Sequence, residues 1–162
     1  MKIRTIAVTG AVLLGLAACG SATDSITFKA PANYAPKASF GPFMQVWTTA
    51  DKHSALVLMQ LPAQVSLDDM LTKANLKDAQ VHVQRKIMIC GNQPAVYAEM
   101  TGTVGGTVNV GVSNGGSKAN PGDVDFLGTN VNGHTYMAMY VRERSALPDP
   151  AAVAAIHDVC PK

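Results

Sequence analysis

The chain is 162 residues long and carries 13 Lys or Arg against 11 Asp or Glu, a formal charge of +2, with 15% of its residues charged. Nucleic-acid binding needs basic residues clustered on one face, and this sequence contains no run of Lys or Arg, so we exclude that class of partner. The length is typical of one domain with its own hydrophobic core.

The first eighteen residues have the three regions of a secretory signal peptide. Lys2 and Arg4 are followed by an apolar stretch over 6–16 and by two small residues, Ala17 and Ala18. The apolar stretch is shorter than the roughly 20 residues that a membrane-spanning helix needs, and the pattern is typical of a signal that is removed on export. Cleavage there would leave eleven basic and eleven acidic side chains, a chain close to neutrality.

The signal ends on Leu16-Ala17-Ala18-Cys19, which resembles the lipobox of bacterial lipoproteins. The resemblance implies that Cys19 receives a diacylglyceryl group on its sulfur, that the chain is cut before it, and that its amine is usually acylated. Two acyl chains are enough for stable anchoring, so the expected partner is a bacterial membrane, with 19–24 as the lipidated tether. The alternative is ordinary secretion with Cys19 merely near the cleavage site.

Gly20 stands at the position after the lipidated cysteine. It lacks the acidic side chain that resembles an inner-membrane retention signal. The resemblance therefore implies, for a diderm host, a lipid-anchored protein on the outer membrane that faces the periplasm.

From Ser25 onward, alternating apolar residues predict an antiparallel succession of short strands. The predicted strands lie at 26–30, 43–49, 55–61, 81–90, 95–101, 107–112, 124–131 and 134–142. The Pro-rich stretch 31–42 is expected to be a loop or a hairpin excursion. Asn132-Gly133 is the strongest two-residue turn signal in the chain and predicts a hairpin between the last two strands.

Two segments favour helices. Ser66 followed by Asp69 has the form of an N-cap, and apolar residues at helical spacing predict a short amphipathic helix over 67–76. Asp149-Pro150 combines an N-cap with Pro at the first helical position. The Ala-rich stretch after it predicts a terminal helix over 151–160 that carries Cys160.

These elements predict a single α+β domain over 25–162. It would contain a single antiparallel sheet of about seven strands, with one mid-chain and one C-terminal helix. Strands 81–90 and 95–101 carry apolar residues on both faces, so helices are expected to cover both sides of the sheet. The order of elements, with Trp47, Pro62 and the terminal helix at their spacings, resembles the PsbP-like fold, which implies binding rather than catalysis.

The cysteines of the exported chain also predict a covalent link. Once Cys19 is assigned to lipid, Cys90 and Cys160 remain as an even pair in an oxidising compartment. We therefore predict a Cys90–Cys160 disulfide, which would join the terminal helix to the strand ending at Cys90. The alternative is two free buried thiols.

Gly111 to Gly115 formally matches the nucleophile elbow of hydrolases, with Ser113 as the nucleophile. Asp123 or Asp125 with His134 would complete the chain order of a triad. However, the elbow needs a helix directly after the serine, and the Gly/Asn/Pro-rich continuation does not start one. A loop serine is the favoured interpretation, and no catalytic residue is predicted.

The sequence contains a few residues that could bind a metal ion, but their spacing does not favour a site. His134, Met137 and Met139 offer Cu(I) ligands, but alternation in a strand places the histidine on the opposite face from the methionines, which favours core methionines. Asp123 and Asp125 lack the pattern of a Ca²⁺-binding loop. No metal or other cofactor is therefore predicted.

Two further groups of side chains, one aromatic and one charged, are considered as possible binding residues. Trp47 with Tyr34 or Phe40 could line a ligand groove, although aromatic residues there are more often part of the core. The last strand is followed by a mixed charged cluster that is expected to be solvated. This cluster consists of Arg142, Glu143 and Arg144.

The sequence therefore predicts a cell-envelope lipoprotein with a non-enzymatic soluble domain. That domain would act in protein binding or structural support at the membrane surface, with an envelope protein as partner. The alternative function is a small-ligand or metal carrier in the envelope. An envelope hydrolase would depend on Ser113 alone.

Overall fold

The computed structural model of the protein describes residues 25–41, 43–73, 79–103 and 121–162. Some predicted features lie outside these ranges: the signal peptide at 1–18, Cys19 with the tether at 19–24, the strand at 107–112, and Ser113. No helix in the described ranges is long and apolar enough to cross a bilayer.

The described chain is built around an antiparallel sheet. In chain order its elements are β1 (Ile26–Thr27), β2 (Ala35–Phe40), β3 (Met44–Thr48), β4 (Ser54–Leu61), α1 (Met70–Lys73), β5 (Gln80–Ile89), β6 (Gln93–Thr103), β7 (Pro121–Val131), β8 (His134–Glu143), α2 (Pro150–His157) and β9 (Cys160–Pro161). Seven strands form one sheet in the order β2-β3-β4-β8-β7-β6-β5, and β1 pairs with β9 in a separate two-stranded ladder. The α+β class and an antiparallel sheet of seven strands are confirmed. The prediction of a single sheet was wrong, because the strand predicted at 26–30 is limited to Ile26–Thr27 and pairs with β9 outside the seven-stranded sheet.

The hairpin between β7 and β8 is also confirmed. Asn132 and Gly133 have positive φ values of 51° and 80°, as a tight two-residue hairpin turn requires. Val131 lies opposite His134, so pairing starts directly beside the turn. Local turn chemistry therefore sets the register of the two central strands.

Of the two alternatives for 31–42, a loop or a hairpin excursion, the second applies to the later part of the stretch, where β2 forms an edge strand that pairs with β3. Pro36 lacks a backbone N–H, and proline in a sheet is confined to edges and irregular positions. The register of β2 against β3 shifts between Pro36 and Ala38, which accommodates the proline. Because most of β2 is exposed, no alternation of buried and exposed residues marked it in the sequence.

The mid-chain helix is shorter among the described residues than the sequence predicts. Ser66 Oγ accepts a hydrogen bond from the Asp69 backbone N–H at 3.2 Å, so the predicted cap is present. Residues 67–69 form a turn, and helical structure begins only at Met70. The predicted continuation at 74–76 lies outside the described residues. Within the described ranges, α2 is thus the only helix longer than one turn, against two predicted.

The terminal helix ends earlier than predicted. Asp149 caps α2 by accepting a hydrogen bond from the Ala151 N–H at 2.9 Å, and Pro150 is its first residue. The helix ends at His157, and Cys160 lies in β9 instead of the helix. Thr27 of β1 pairs with Cys160, so a contact with the other end of the chain overrides the local helix propensity.

Each face of the sheet is covered by a hydrophobic core. In β8, Tyr136 and Tyr140 belong to the core beneath α2, whereas Met137 and Met139 belong to the core that contains Met70 of α1. We call these sides the α2 face and the α1 face. The prediction that both faces are covered holds for the strand at 95–101, where Val96 and Tyr97 are buried on opposite faces, but the edge strand β5 is mostly exposed.

Candidate functional site

The start of the described chain is fixed at one end of the sheet. Cys90, in the turn between β5 and β6, forms a disulfide with Cys160 of β9, with a Cα–Cα distance of 5.7 Å. The Lys162 backbone N–H donates to the Ser25 carbonyl at 3.1 Å, beside the β1–β9 ladder. We call this end of the seven-stranded sheet the disulfide end and the other the opposite end.

A groove of about 830 Å³ lies between the segment 26–32 and α2. It is lined by Ile26, Thr27, Phe28, Lys29, Ala30, Pro31, Ala32, Ala151, Ala154, Ala155, Asp158 and Lys162. Small-molecule sites in proteins are typically clefts of about 300–1,000 Å³ with mostly apolar walls and few polar groups. The groove has this size and composition and is a candidate binding site among the described residues.

The short side chains of α2 create the open space. Ala152 and Ile156 are fully buried and pack α2 onto the sheet, whereas Ala151 and Ala154 face the groove and are exposed. A helix with alanine on its outer side leaves room that larger side chains would fill. The groove thus arises from the composition of the helix together with its distance from the segment 26–32.

The outer wall of the groove is held by several contacts. The rings of Phe28 and Trp47 lie 5.0 Å apart between centroids, which attaches the segment to β3. Its far end is fixed by Asn33, which donates to the Asp149 carboxylate at 2.9 Å. This hydrogen bond holds the pKa of Asp149 below its usual value. The wall is therefore attached to both the sheet and the helix cap.

The floor of the groove is fixed at both ends of α2. At the N-terminus, the Asp149 backbone N–H donates to the Tyr140 hydroxyl at 3.0 Å. At the C-terminus, the His157 ring packs on the Tyr97 ring at 4.8 Å between centroids. These contacts set the position of the helix relative to the sheet and, with it, the width of the groove.

A charged network surrounds Tyr97 beside the C-terminal end of α2. Its hydroxyl donates to Asp125 Oδ1 at 2.7 Å and lies 3.2 Å from Glu99 Oε1, while the Arg85 guanidinium lies 5.0 Å from its ring centroid. Burial and these neighbouring carboxylates raise the pKa of Tyr97, so it remains a neutral donor. Burial raises the pKa of Asp125 as well. The network contains both signs of charge, and we interpret it as support for α2.

His157 supplies a measurable test of this support. Burial lowers the pKa of His157 below its usual 6.5, and the Arg85 charge lowers it further. A protonated His157 is thus disfavoured in the folded state, so its contribution to stability is complete above about pH 6.5 and decreases as the pH falls through that value. We expect Arg85→Gln to shift the pKa of His157 upward toward 6.5, as read by NMR titration of its ring protons.

Lys86→Gln is the matched control for that titration. Lys86 follows Arg85 on β5 and forms an ion pair with Asp68 at 2.9 Å, so it lies on the other face of the strand. Its removal is expected to leave the pKa of His157 unchanged. Equal shifts in both variants would contradict a direct contact between Arg85 and the Tyr97–His157 pair.

The structure separates the residues of the hypothetical hydrolase site. Asp123 lies opposite Arg142, whereas His134 lies opposite Val131. Arg142 and His134 are eight positions apart on β8, about 27 Å at the rise of an antiparallel strand. Asp123 and Asp125 are therefore at the opposite end and His134 at the disulfide end, and Ser113 lies outside the described residues.

The hypothetical Cu(I) ligands also remain apart. Met137 and Met139 are buried in the core of the α1 face. His134 is two positions before Tyr136 on the same strand, so both residues lie on the α2 face. The described part of the chain contains no group of three or more His, Cys, Asp or Glu side chains that could hold a metal ion.

The aromatic groove suggested by the sequence is not assembled. Tyr34 is buried in the core of the α2 face and Trp47 packs against that core, but Phe40 is exposed near the tip of the β2–β3 hairpin. Sequence reasoning missed the groove beside α2. The signal available was the alanine-rich exterior of the predicted helix, which does not reveal what lies across from it.

The expectation that the charged cluster at the end of the last strand is solvated was wrong for Arg142 and Glu143, whereas the Arg144 side chain is 58% exposed. Arg142 forms an ion pair with Asp123, and their side chains are 17% and 22% exposed. Glu143 Oε2 lies 2.8 Å from His53 Nδ1, and the Glu143 side chain is 15% exposed. These charges are partly buried because they lie opposite complementary groups on neighbouring strands and turns, which spacing along one strand does not show.

Comparison with known proteins gives information about the fold and not about the function. No protein-family model matches this sequence, and no curated protein sequence matches it. A structure from Bacteroides thetaiotaomicron VPI-5482 aligns over 89% of this chain at 8% identity and a TM-score of 0.55. This chain spans only about half, 47%, of that one.

Two further structures align along most of their own lengths. A Pseudomonas aeruginosa protein of unknown function aligns over 85% of this chain and 98% of its own, at 12% identity and a TM-score of 0.50. The Saccharomyces cerevisiae Ran-binding protein Mog1 aligns over 82% of this chain and 84% of its own, at 8% identity and a TM-score of 0.49. At these identities the first of the two shows a shared fold and nothing about function.

Proposed function

We propose that this protein is a lipid-anchored protein of the bacterial cell envelope whose folded domain acts by binding, with the groove beside α2 as its binding site. The groove itself is the observation that carries the proposal. The partner we propose is an envelope protein that presents an extended, largely apolar segment. In a diderm host the domain would work at the outer membrane, facing the periplasm.

The proposed anchor rests on the lipobox resemblance at Cys19. Ser25, the first described residue, is six positions later in the chain. Six extended residues span at most about 20 Å, so a lipid on Cys19 would hold the disulfide end close to the membrane surface. The same reach places the groove, which includes Ile26 and Thr27 in its lining, near that surface.

The groove offers the means of recognition. Its apolar walls suit the burial of apolar groups, which contributes about 25 cal/mol per Å² removed from water. Lys29, Asp158 and Lys162 add charges of both signs among the lining residues and can select an orientation of the bound segment. This composition, with the binding role that the PsbP-like resemblance implies, supports a non-enzymatic domain.

A small-ligand carrier is the second candidate function. The volume of about 830 Å³ falls within the range of small-molecule sites, and that observation favours the candidate specifically. The structure does not favour a metal carrier, because His134 lies on the opposite face of the strand from Met137 and Met139.

Site-specific crosslinking in intact cells tests the proposed binding site. A photo-crosslinking amino acid at Ala154, in the groove, is expected to give a discrete protein adduct on irradiation. The same amino acid at Ala35, exposed on edge strand β2, serves as the matched control. Equal adducts at both positions, or none at Ala154, would contradict a protein-binding groove. Native mass spectrometry of the protein extracted from its own membrane would then reveal a bound small molecule if the carrier is correct.

The anchor has its own test. We expect the mature N-terminus to carry the mass of a diacylglyceryl group on Cys19, and Cys19→Ser to move the protein out of the membrane fraction. Ordinary secretion predicts a soluble mature protein without an acyl mass. That outcome would refute the anchor without affecting the crosslinking result at Ala154.

A further inference from the structure

We infer that the disulfide end of the domain rests on the lipid bilayer, and that the tip of the β2–β3 hairpin inserts Phe40 and Phe43 into the interface. This inference rests on the proposed lipid anchor and adds a second membrane contact to it. It assigns an orientation to the anchored domain and a role to two aromatic side chains that the groove does not use.

The hairpin tip exposes two large apolar rings. Phe40 is 59% exposed and Phe43 is 53% exposed. Between them Gly41 has a φ of +58°, which produces the tight reversal that brings the two rings to the tip. Exposed phenylalanines are typical of segments that bury an apolar surface at the boundary between headgroups and acyl chains.

The exposed rings lie at the same end of the sheet as the start of the described chain. Phe40 pairs with Met44, Met44 with Met59, and the next strands turn at this end through Asn132 and through Cys90. The hairpin and Cys90 are at the two lateral edges, six strand spacings or about 29 Å apart. A lipid near one edge and an inserted hairpin at the other would fix the orientation of the domain through two separate contacts.

A third exposed apolar side chain, Met88, also lies at the disulfide end. Met88, 61% exposed, is two positions before Cys90 and therefore also belongs to the disulfide end. The lateral edge that carries the chain start thus has an apolar side chain of its own. The other large exposed apolar residues, Val81 and Leu147, lie toward the opposite end.

The distribution of charge fits the same orientation. The described residues in the hairpin turns of the seven-stranded sheet at the disulfide end are 41, 43, 90–92 and 132–133, and none of these is charged. The charged groups at this end, Asp158 and Lys162, lie beside β9, away from the β2–β3 hairpin. The carboxylates of Asp51, Asp123 and Glu143 lie at the opposite end, where Asp123 pairs with Arg142. Bacterial membranes present anionic headgroups that repel carboxylates, so the uncharged hairpin turns at the disulfide end are suited to approach them.

Depth-dependent quenching of tryptophan fluorescence tests the inference. The mature lipidated protein would be reconstituted into vesicles of phosphatidylethanolamine and phosphatidylglycerol whose acyl chains are brominated. We expect Phe43→Trp to be quenched more strongly than Leu147→Trp, which places the same probe on a residue that is 88% exposed at the opposite end. Trp47 is present in both variants and contributes equally. Equal quenching of the two variants would overturn the inference.

A second measurement separates this inference from the proposed anchor. The mature chain with Cys19→Ser has no lipid, and Phe40→Ser with Phe43→Ser in that background is expected to lower its vesicle partition coefficient about tenfold, because two apolar rings no longer leave water. Leu147→Ser is the control and should leave partitioning unchanged.

The outcomes remain distinguishable. A missing acyl mass on Cys19 refutes the anchor, whereas an unchanged partition coefficient in the Phe40 and Phe43 double variant refutes only the inserted hairpin. Because both rings are exposed in the fold, their replacement is expected to leave stability nearly unchanged. If the hairpin instead contacts a protein, crosslinking from Phe43 in cells gives a protein adduct while vesicle quenching fails, and the inference is wrong.

Discussion

Replacing Cys90 and Cys160 by serine is expected to lower the free energy of unfolding by about 4 kcal/mol, because the disulfide closes a loop between residues separated by 70 positions. Loss of the link frees the unfolded chain, and it also releases β9 from the turn between β5 and β6. Urea denaturation followed by circular dichroism measures the change. The denaturant dependence should become steeper, since an unlinked unfolded chain exposes more surface.

The same variant connects stability to the proposed function. The two-residue strands β1 and β9 hold the beginning of the groove wall at 26–32, and a ladder this short depends on its attachment. We therefore expect the Ala154 crosslink to weaken in the serine variant even where the sheet remains folded. Chemical reduction of the natural protein should reproduce both effects, and Cys19→Ser should produce neither. An unchanged urea midpoint would contradict a stabilising disulfide.

The parts of the fold that sequence reasoning found are those set by local chemistry. Asn132-Gly133 has a turn geometry that few other dipeptides adopt easily, and it fixes the hairpin between β7 and β8 before any distant contact is considered. Tyr136 and Met137 alternate between the two cores, so a strand that is buried on both faces can be read from its apolar residues. Asp149-Pro150 likewise marks the start of α2 by its own hydrogen bond and fixed dihedral.

The parts that it missed depend on contacts between distant segments. Strand β2 is an exposed edge, so burial imposes no alternating pattern on it, and Pro36 argued against a strand. The end of α2 is set by the pairing of Thr27 with Cys160, a contact across almost the whole chain. The groove depends on the distance between the segment 26–32 and α2. The residue types in either segment do not predict that distance.

The two ends of the sheet therefore differ in a way that composition alone conceals. Residues 19–162 carry eleven acidic and eleven basic side chains, so this part of the chain looks featureless in total charge. The fold gathers ion pairs such as Arg142–Asp123 and His53–Glu143 at the opposite end and leaves uncharged turns and exposed rings at the disulfide end. A near-neutral sequence thus folds so that the hairpin turns at one end are uncharged while the ion pairs of β8 lie at the other end.

Gly128→Val is expected to destabilise the protein by about 3 kcal/mol, through overpacking beneath the mid-chain helix. Gly128 lies in β7 on the α1 face, and a Cβ atom built there would meet Met70 Sδ at 2.5 Å and the Phe126 ring at 3.1 Å. Met70 and Phe126 are fully buried, so neither can move aside without disturbing the α1-face core. Urea denaturation measures the loss, with the mutant compared to the natural protein at one pH.

Gly128→Ala distinguishes overpacking from a general effect of side chains in strands. In an ordinary strand, alanine is more favourable than glycine by roughly 0.5–1 kcal/mol, because glycine loses more backbone freedom on folding. Here we expect the sign to reverse, with Gly128→Ala less stable than the natural protein. In a Met70→Ala background, the cost of Gly128→Ala should be smaller than in the natural protein, because the sulfur that the new methyl group meets is gone. A Gly128→Ala protein as stable as the natural one would show that Met70 can repack, and the close contact of α1 with β7 would then not determine the packing of this face.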